Sequence, residues 1–276
     1  MLQGILRENE VPFLLPGILS RGENFLALGF DEDCVEEYDG IGHGAFDARA
    51  IAYETAVMVK SALEAGLPAL LVGASLGGML IPFVYGELCQ LMREVPLDLL
   101  RCLIIDAPFG AETMIAMGCS AFAGRVIRSP IGQALRPLAS IKVGPKDQHI
   151  EVPDDDMMRE IAGIAMSGAE WRAYVKRRAI AELSDHSSKQ WLEQLRWMTQ
   201  MSHDGSLHCA CLAMRGVDTS YLACVGPGND VVKQPLASEL WAASTPDLKM
   251  YSANAVHCGF VQQAPTFRGA LAEILG

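Results

Sequence analysis

The sequence predicts an α/β fold with a mostly parallel, doubly wound sheet of about six strands and a mainly helical insertion. Half of the 276 residues are apolar, which is enough for one large core. Short runs that are apolar throughout alternate with segments of helical spacing, and such runs are typical of parallel strands covered on both faces. The alternation stops after Pro108 and resumes near residue 216, so an insertion is expected within the α/β body.

The segment before the insertion contains four strand candidates separated by helical patterns. The strand candidates are 11–15, 34–38, 69–72 and 102–105. The helix candidates are 20–29, 47–65 and 76–92. Turn signals such as Pro16-Gly17 and Gly66 lie at the boundaries.

Residues 110–215 are predicted to form a helical cap or lid, and residues 1–109 and 216–276 form the body. Helices are expected at 157–166, 170–183 and 189–201, and the acidic residues 154–156 suit the start of the first one better than a metal site. Residues 125–196 carry 12 basic and 10 acidic residues, whereas the whole chain carries 22 basic and 33 acidic residues. The excess of acidic residues therefore lies outside this segment, and the insertion is expected to have a different surface from the body. After the insertion, strands are expected at 221–225 and 248–251, and helices at 235–243 and 265–275.

Composition and charge argue against several classes of protein. The formal net charge is −11, so the chain lacks the basic surface of a general nucleic-acid binder. The uncharged stretch 65–86 is interrupted by residues that include Pro68, Gly73, Gly77, Gly78 and Pro82. It is interpreted as strand, turn and helix, with no membrane span expected. No secretory signal is visible, and the eight cysteines are scattered, which favours reduced thiols and a cytoplasmic protein.

The motif with the clearest chemistry is Gly73-Ala74-Ser75-Leu76-Gly77. It fits G-x-S-x-G and lies between a predicted strand and a predicted helix, which is the context that a nucleophilic serine requires. The glycines allow neighbouring backbone to approach closely. The helix that begins at Leu76 directs N–H groups and its positive end towards a developing oxyanion.

A nucleophilic serine needs a base and an orienting acid. Among the six histidines, His257 follows the last predicted strand, and its side chain is expected at the same sheet edge as Ser75. Asp230 follows the strand candidate 221–225 and is favoured as the acid. Asp106 ends the strand candidate 102–105 and is the alternative acid.

No metal site or cofactor is predicted. His203, His208, Cys209 and Cys211 lie close together along the chain, but only one residue separates the two cysteines, and zinc sites usually separate them by two to four. Helix packing before the returning strand is the favoured interpretation.

The order Ser75, Asp230, His257 resembles that of the α/β-hydrolase superfamily. Three loops add to the resemblance. They are 15–18, similar to the family's oxyanion loop, 39–44, similar to its D-x-x-G-x-G loop, and 228–232, similar to its acid turn. The insertion falls where these enzymes carry a cap, and the chain starts late relative to the usual sheet.

The resemblance implies an oxyanion hole made by the backbone N–H groups of Leu76 and Ile18, and a structural role for His43. Pro16 stands where the family usually has histidine, and Ala74 where a bulkier residue is common. Because the nucleophile position holds serine, haloalkane dehalogenases and cap-bearing epoxide hydrolases, which use a carboxylate, are disfavoured.

The expected function is therefore that of a serine hydrolase that cleaves a carboxylic ester, thioester or related acyl bond of a small-molecule substrate. Two alternatives stay open at this stage. One is an acyltransferase with the same triad, and the other is a non-catalytic ligand-binding protein on the same fold. The identity of the substrate and the oligomeric state do not follow from the sequence.

Overall fold

The computed structural model describes the sheet and the helices packed against it. It covers residues 6–17, 22–30, 46–110, 113, 194, 197–201, 203–226, 229, 231–260 and 263–276. The predicted strand 34–38 and the predicted helices 157–166 and 170–183 lie outside the described residues, as does most of the predicted insertion. Of the predicted helix 189–201, only its second half and residue 194 are described.

Five parallel strands form the described sheet, and they follow one another in chain order. They are β1 (Val11–Leu15), β2 (Ala69–Ala74), β3 (Leu100–Ile105), β4 (Asp218–Cys224) and β5 (Lys249–Ala253). Each was expected from the sequence, with boundaries that differ by at most three residues. Because every pair is parallel, the carboxyl ends of all five strands meet at one edge of the sheet.

In the described part of the chain, five α-helices and a 3-10 helix at Gly22–Leu28 cover the sheet. The α-helices are α1 (Ala48–Glu64), α2 (Leu76–Leu91), α3 (Ser206–Ala213), α4 (Leu236–Ser244) and α5 (Ala264–Leu275). Asp47 caps the start of α1 by accepting hydrogen bonds from the backbone N–H groups of Arg49 and Ala50, which satisfies two donors that have no partner inside the helix.

The helices lie on both faces of the sheet, as expected for a doubly wound fold. One buried cluster joins alternate strand residues such as Leu71 and Ile104 to α1, α2 and α3. The other joins the intervening residues, such as Leu70 and Ile105, to the 3-10 helix and α5. Successive side chains of a strand point to opposite faces, and burial on both sides explains why these strands are apolar throughout. Among the described residues, no helix is long and apolar enough to cross a membrane.

A buried ion pair lies at the amino end of the sheet. The Arg101 guanidinium donates from Nε to Glu10 Oε1 at 2.8 Å and from Nη2 to Glu10 Oε2 at 2.5 Å. Its Nη1 donates to the carbonyl oxygen of Leu275, 3.0 Å away at the end of α5. The Glu10 side chain has no exposed surface and that of Arg101 is 9% exposed. The pair therefore joins the entry to β1, the start of β3 and the carboxyl end of the chain.

Substitution of one member of this pair is expected to destabilise the fold strongly. Glu10→Gln would leave the Arg101 charge buried without its counter-ion, and such losses cost about 3–5 kcal/mol in the free energy of unfolding. Lys249→Ala removes an exposed ion pair with Asp218 and should cost less than about 1 kcal/mol. Urea unfolding followed by circular dichroism measures both, and equal losses in the two variants would contradict the expectation.

Candidate active site

Ser75 stands on a sharp turn between β2 and α2, as the sequence predicts. Its backbone has φ 52° and ψ −117°, a conformation that residues with a side chain rarely adopt. The turn is held on both sides, because the Ser75 N–H donates to the Ile105 carbonyl at 2.9 Å and the Ser75 carbonyl accepts from the Met79 N–H at 3.3 Å. The surrounding sheet and helix therefore maintain a strained turn that presents the hydroxyl at the sheet edge.

The glycines around Ser75 are required by close backbone contacts. A Cβ at Gly73 would overlap the backbone of Gly77, and a Cβ at Gly77 would overlap the carbonyl group of Leu15. A Cβ at Gly17 would lie 2.9 Å from that of Ser75. The Leu15 carbonyl cannot move without displacing β1, and the Gly77 backbone cannot move without displacing α2. These contacts explain why Gly73 and Gly77, the two glycines of the G-x-S-x-G motif, carry no side chain.

One of the two expected oxyanion donors, the N–H group of Leu76, belongs to a described residue. Leu76 is the first residue of α2, so its N–H has no acceptor within the helix and lies at the positive end of the helix dipole. Ile18, the second expected oxyanion donor, lies outside the described residues. The preceding residue, Gly17, lies directly against Ser75.

His257 lies in the loop after β5 and contacts Ser75. Its Nε2 accepts a hydrogen bond from Ser75 Oγ at 3.0 Å, and its side chain is 13% exposed. Gln263 holds the loop, because its Oε1 accepts the N–H of Val256 at 2.7 Å. The structure therefore brings together the serine and the histidine that the sequence singles out, although they are 182 residues apart.

The second imidazole nitrogen of His257 contacts Asp106. Nδ1 donates to Asp106 Oδ2 at 2.7 Å, and the carboxylate has no exposed surface. Asp106 follows β3 directly with φ 43°, and its N–H donates to the Leu222 carbonyl at 2.8 Å. The sequence favours Asp230 as the acid and leaves Asp106 as the alternative. Asp230 lies outside the described residues.

Three further groups donate to the Asp106 carboxylate, and the sequence analysis did not identify them in this role. They are the Cys224 N–H at 3.1 Å, Asn229 Nδ2 at 2.8 Å and Gln234 Nε2 at 2.9 Å. The one available signal was the position of Asn229 in the turn that resembles the family's acid turn. A hydroxyl, an imidazole and a carboxylate linked in this order can move a proton from serine to histidine.

Opposing effects act on the pKa of His257. Burial disfavours the charged imidazolium and lowers the pKa, whereas the neighbouring Cys258 side chain and the hydrogen bond and charge of Asp106 raise it. The raising effects are larger, so the pKa of His257 lies above its ordinary value. The imidazole therefore holds a proton more strongly than a free histidine does.

Of the histidines and cysteines near α3, only Cys211 is packed in the core, and His203, His208 and Cys209 are exposed. Cys211 is buried against α2 in the core, and burial raises the pKa of its thiol to about 12, which keeps it protonated. His208 Nδ1 lies 2.9 Å from the Ser244 hydroxyl on α4. In the part of the chain that the structure describes, no group of three or more His, Cys, Asp or Glu side chains could hold a metal ion.

No family model and no curated protein sequence matches the chain, but its fold is similar to that of solved structures. A hydrolase from Pseudomonas aeruginosa PA01 is 17% identical with a TM-score of 0.56, over 98% of this chain and 91% of that one. MenH from S. aureus is 16% identical with a TM-score of 0.55, over 97% and 93%. MGS-M2, an α/β hydrolase enzyme from a Medee basin deep-sea metagenome library, is 13% identical with a TM-score of 0.54, over 96% and 89%. With its parallel sheet covered on both faces and a serine on the turn after β2, the chain has the fold of the α/β-hydrolase superfamily.

Proposed function

We propose that this protein is a serine hydrolase that cleaves a carboxylic ester, thioester or related acyl bond through a triad of Ser75, His257 and Asp106. The observation that carries the proposal is the continuous hydrogen-bonded chain between them, with contacts of 3.0 Å from serine to histidine and 2.7 Å from histidine to aspartate. The names of the similar structures, which include hydrolases, support the same class of reaction.

In the acylation step, Ser75 Oγ attacks the acyl carbonyl carbon while its proton passes to His257 Nε2. The carbonyl π electrons move to the oxygen, and the resulting oxyanion is stabilised by the N–H groups of Leu76 and Ile18. Collapse of this intermediate expels the alcohol or thiol, which takes the proton from His257. The products of the step are an acyl-Ser75 ester and the free leaving group.

In the deacylation step, His257 removes a proton from water, and the hydroxide oxygen attacks the acyl-enzyme carbonyl carbon. The Ser75 oxygen leaves and recovers the proton from His257, which releases the carboxylic acid. Asp106 keeps the histidine proton on Nδ1, so that Nε2 faces the serine, and its charge offsets that of the imidazolium. No cofactor takes part in the proposed acylation and deacylation steps.

The choice of Asp106 as the acid rests on the geometry at Nδ1. A neutral imidazole carries a proton on one of its two nitrogens, and because a carboxylate only accepts, the contact with Asp106 Oδ2 assigns that proton to Nδ1. The carboxylate has no exposed surface and receives three other hydrogen bonds, which fix its orientation. Asp230 is the competing assignment, and the matched variants below separate the two.

The substrate is proposed to be a small acyl compound handled in a reducing compartment. Six cysteines among the described residues are free thiols, in agreement with the scattered spacing from which a cytoplasmic location is proposed. The part of the predicted insertion 110–215 that precedes α3 is proposed as the cap over the acyl group, because α3 itself packs in the core of the body.

Ser75→Ala is expected to abolish covalent labelling by a fluorophosphonate probe and to lower the turnover of p-nitrophenyl esters by at least about 1000-fold. The reason is that the probe and the ester both react with the activated hydroxyl. Ser61→Ala, on the exposed face of α1, serves as a control for a lost hydroxyl away from the site. Full turnover by Ser75→Ala would refute the proposed mechanism, and an ester series of rising acyl length would size the acyl pocket in the wild type.

Asp106→Asn is expected to lower kcat by about 1,000- to 10,000-fold, because the amide can stabilise the wrong imidazole tautomer and carries no charge. Asp230→Asn should lower kcat by less than about tenfold. Steady-state kinetics of the two variants with the same ester decide between the two aspartates. The opposite ranking would assign the acid role to Asp230.

The rate should fall as the pH is lowered through the pKa of His257. Because that pKa is raised above its ordinary value of 6.5, the midpoint of the acid limb of kcat/KM is expected above pH 6.5. Cys258→Ser removes one of the groups that raise the pKa, so its limb should move to lower pH by up to about one unit. A pH profile of kcat/KM for both proteins measures the shift, and a limb that moves to higher pH would contradict its assigned cause.

A further inference from the structure

We propose that the side-chain amides of Asn229 and Gln234 are positioning residues that hold the Asp106 carboxylate, one amide on each oxygen, in the orientation that His257 needs. This inference rests on the proposed function, because it assigns roles around the acid of the same triad. Neither residue belongs to the G-x-S-x-G motif or follows from the charge pattern of the chain.

Gln234 connects the carboxylate to the start of α4. Its Nε2 donates to Asp106 Oδ1 at 2.9 Å and to the Tyr221 hydroxyl at 3.0 Å. Its Oε1 accepts from the Ser238 hydroxyl at 2.6 Å and from the Ser238 N–H at 3.3 Å. Both ends of the amide are therefore engaged, which fixes the amide plane and directs the N–H group at Oδ1.

Asn229 performs the same task on the other oxygen from the turn after β4. Its Nδ2 donates to Asp106 Oδ2 at 2.8 Å and to the Cys224 carbonyl at 2.6 Å. Its Oδ1 accepts the N–H groups of Val231 and Val232 at 3.3 and 3.2 Å. Because His257 Nδ1 contacts the same oxygen, Asn229 acts directly on the atom that orients the histidine.

Neutral donors suit this position better than a cation would. A buried carboxylate needs hydrogen-bond donors to remain ionised, and a lysine or arginine beside it would cancel its attraction for the imidazolium. An amide donates a hydrogen bond and adds no net charge. The two amides therefore stabilise the carboxylate and leave its negative charge available to His257.

The backbone after Asp106 is held by the same group of side chains. The Ala107 carbonyl accepts from the Tyr221 hydroxyl at 2.9 Å and from Trp241 Nε1 at 2.8 Å. Tyr221 in turn accepts from Gln234. Gln234 thus links the carboxylate of Asp106 to the group that holds its neighbouring peptide, so a change at Gln234 acts on the orientation of the acid.

The other titratable groups that face this pair come from β4 and from the loop after β5. They are the Tyr221 hydroxyl, the Cys224 thiol and the Cys258 thiol. Burial, followed by the charge of Asp106, raises the pKa values of Tyr221 and Cys224 well above their ordinary values, so both stay neutral in the range of the experiment. The Cys258 thiol is removed by repeating the measurement in a Cys258→Ser background.

The test compares Gln234→Met and Asn229→Ser with Gln90→Met as the matched control. Gln234→Met keeps the volume of the side chain and loses the donor, whereas Asn229→Ser keeps an oxygen that can accept from the turn and removes the amide that reaches Asp106. Gln90→Met makes the same chemical change as Gln234→Met at an exposed position near the end of α2, away from the site. Circular dichroism and thermal melting check that each variant folds. If Gln234→Met does not fold, the Asn229→Ser result decides the test.

Loss of an amide donor frees the Asp106 carboxylate to turn away from His257 Nδ1, which weakens their hydrogen bond and should lower the pKa of His257. The acid limb of kcat/KM is therefore expected to move to lower pH by about one unit in Gln234→Met and in Asn229→Ser, with no shift in Gln90→Met. The imidazole nitrogen resonances of His257, assigned by comparison with His257→Gln, should titrate with the same shift in ¹⁵N NMR.

A rate that falls equally at all pH values, with an unmoved His257 titration in both variants, would overturn the inference, because a loosened turn alone produces that result. The NMR titration needs no turnover, so it tests the amides even if the protein cleaves no ester. Failure of the proposed function shows separately, as a wild type that a fluorophosphonate does not label at Ser75.

Discussion

A carboxylate with no exposed surface lies directly after β3, and the rest of the site is arranged around its charge. A buried charge is stable only where donors surround it, and Asp106 draws its donors from three separate parts of the chain. Cys224 and Asn229 come from the end of β4 and its turn, Gln234 from the segment before α4, and His257 from the loop after β5. The carboxyl edge of the sheet is therefore organised by one anion, and the histidine is one of its four hydrogen-bond donors.

The serine is positioned by a different constraint, which is steric. Its positive φ is strained, and the turn persists because β1 and α2 pack against it without intervening side chains. Gly77 touches the Leu15 carbonyl and Gly17 touches Ser75, so the Pro16-Gly17 segment after β1 and the Ser75 turn after β2 are brought into contact by the absence of side chains. Hydrogen bonding to Asp106 positions His257, and close backbone packing positions Ser75. The two side chains meet at the hydrogen bond between them.

A buried charged residue lies at each end of strand β3. Arg101, near its start, pairs with Glu10 and reaches the carbonyl of Leu275, while Asp106 follows its last residue. Between them the strand is fully apolar and buried on both faces. At the amino edge of the sheet, Arg101 joins the residue before β1 to the end of α5 and stabilises the fold. At the carboxyl edge, Asp106 orients the side chains of the proposed chemistry. Substitutions at the two edges should accordingly affect stability and activity separately.

The sequence alone determined the α/β class, the five described strands, and the serine and histidine of the site. The signals for these features are local, because the apolar periodicity of a strand or helix and the glycine spacing around Ser75 each lie within a short segment of the chain. Only the tertiary structure shows that Asp106 contacts His257 Nδ1. Asp106 and Asp230 both follow strands whose ends reach the same edge, and the contact of Asp106 with His257 spans 151 residues of chain. Asn229 and Gln234 are separated from Asp106 by 123 and 128 residues, and their convergence is set by the pairing of β3 with β4 and by the positive φ of Asp106, which no local pattern encodes.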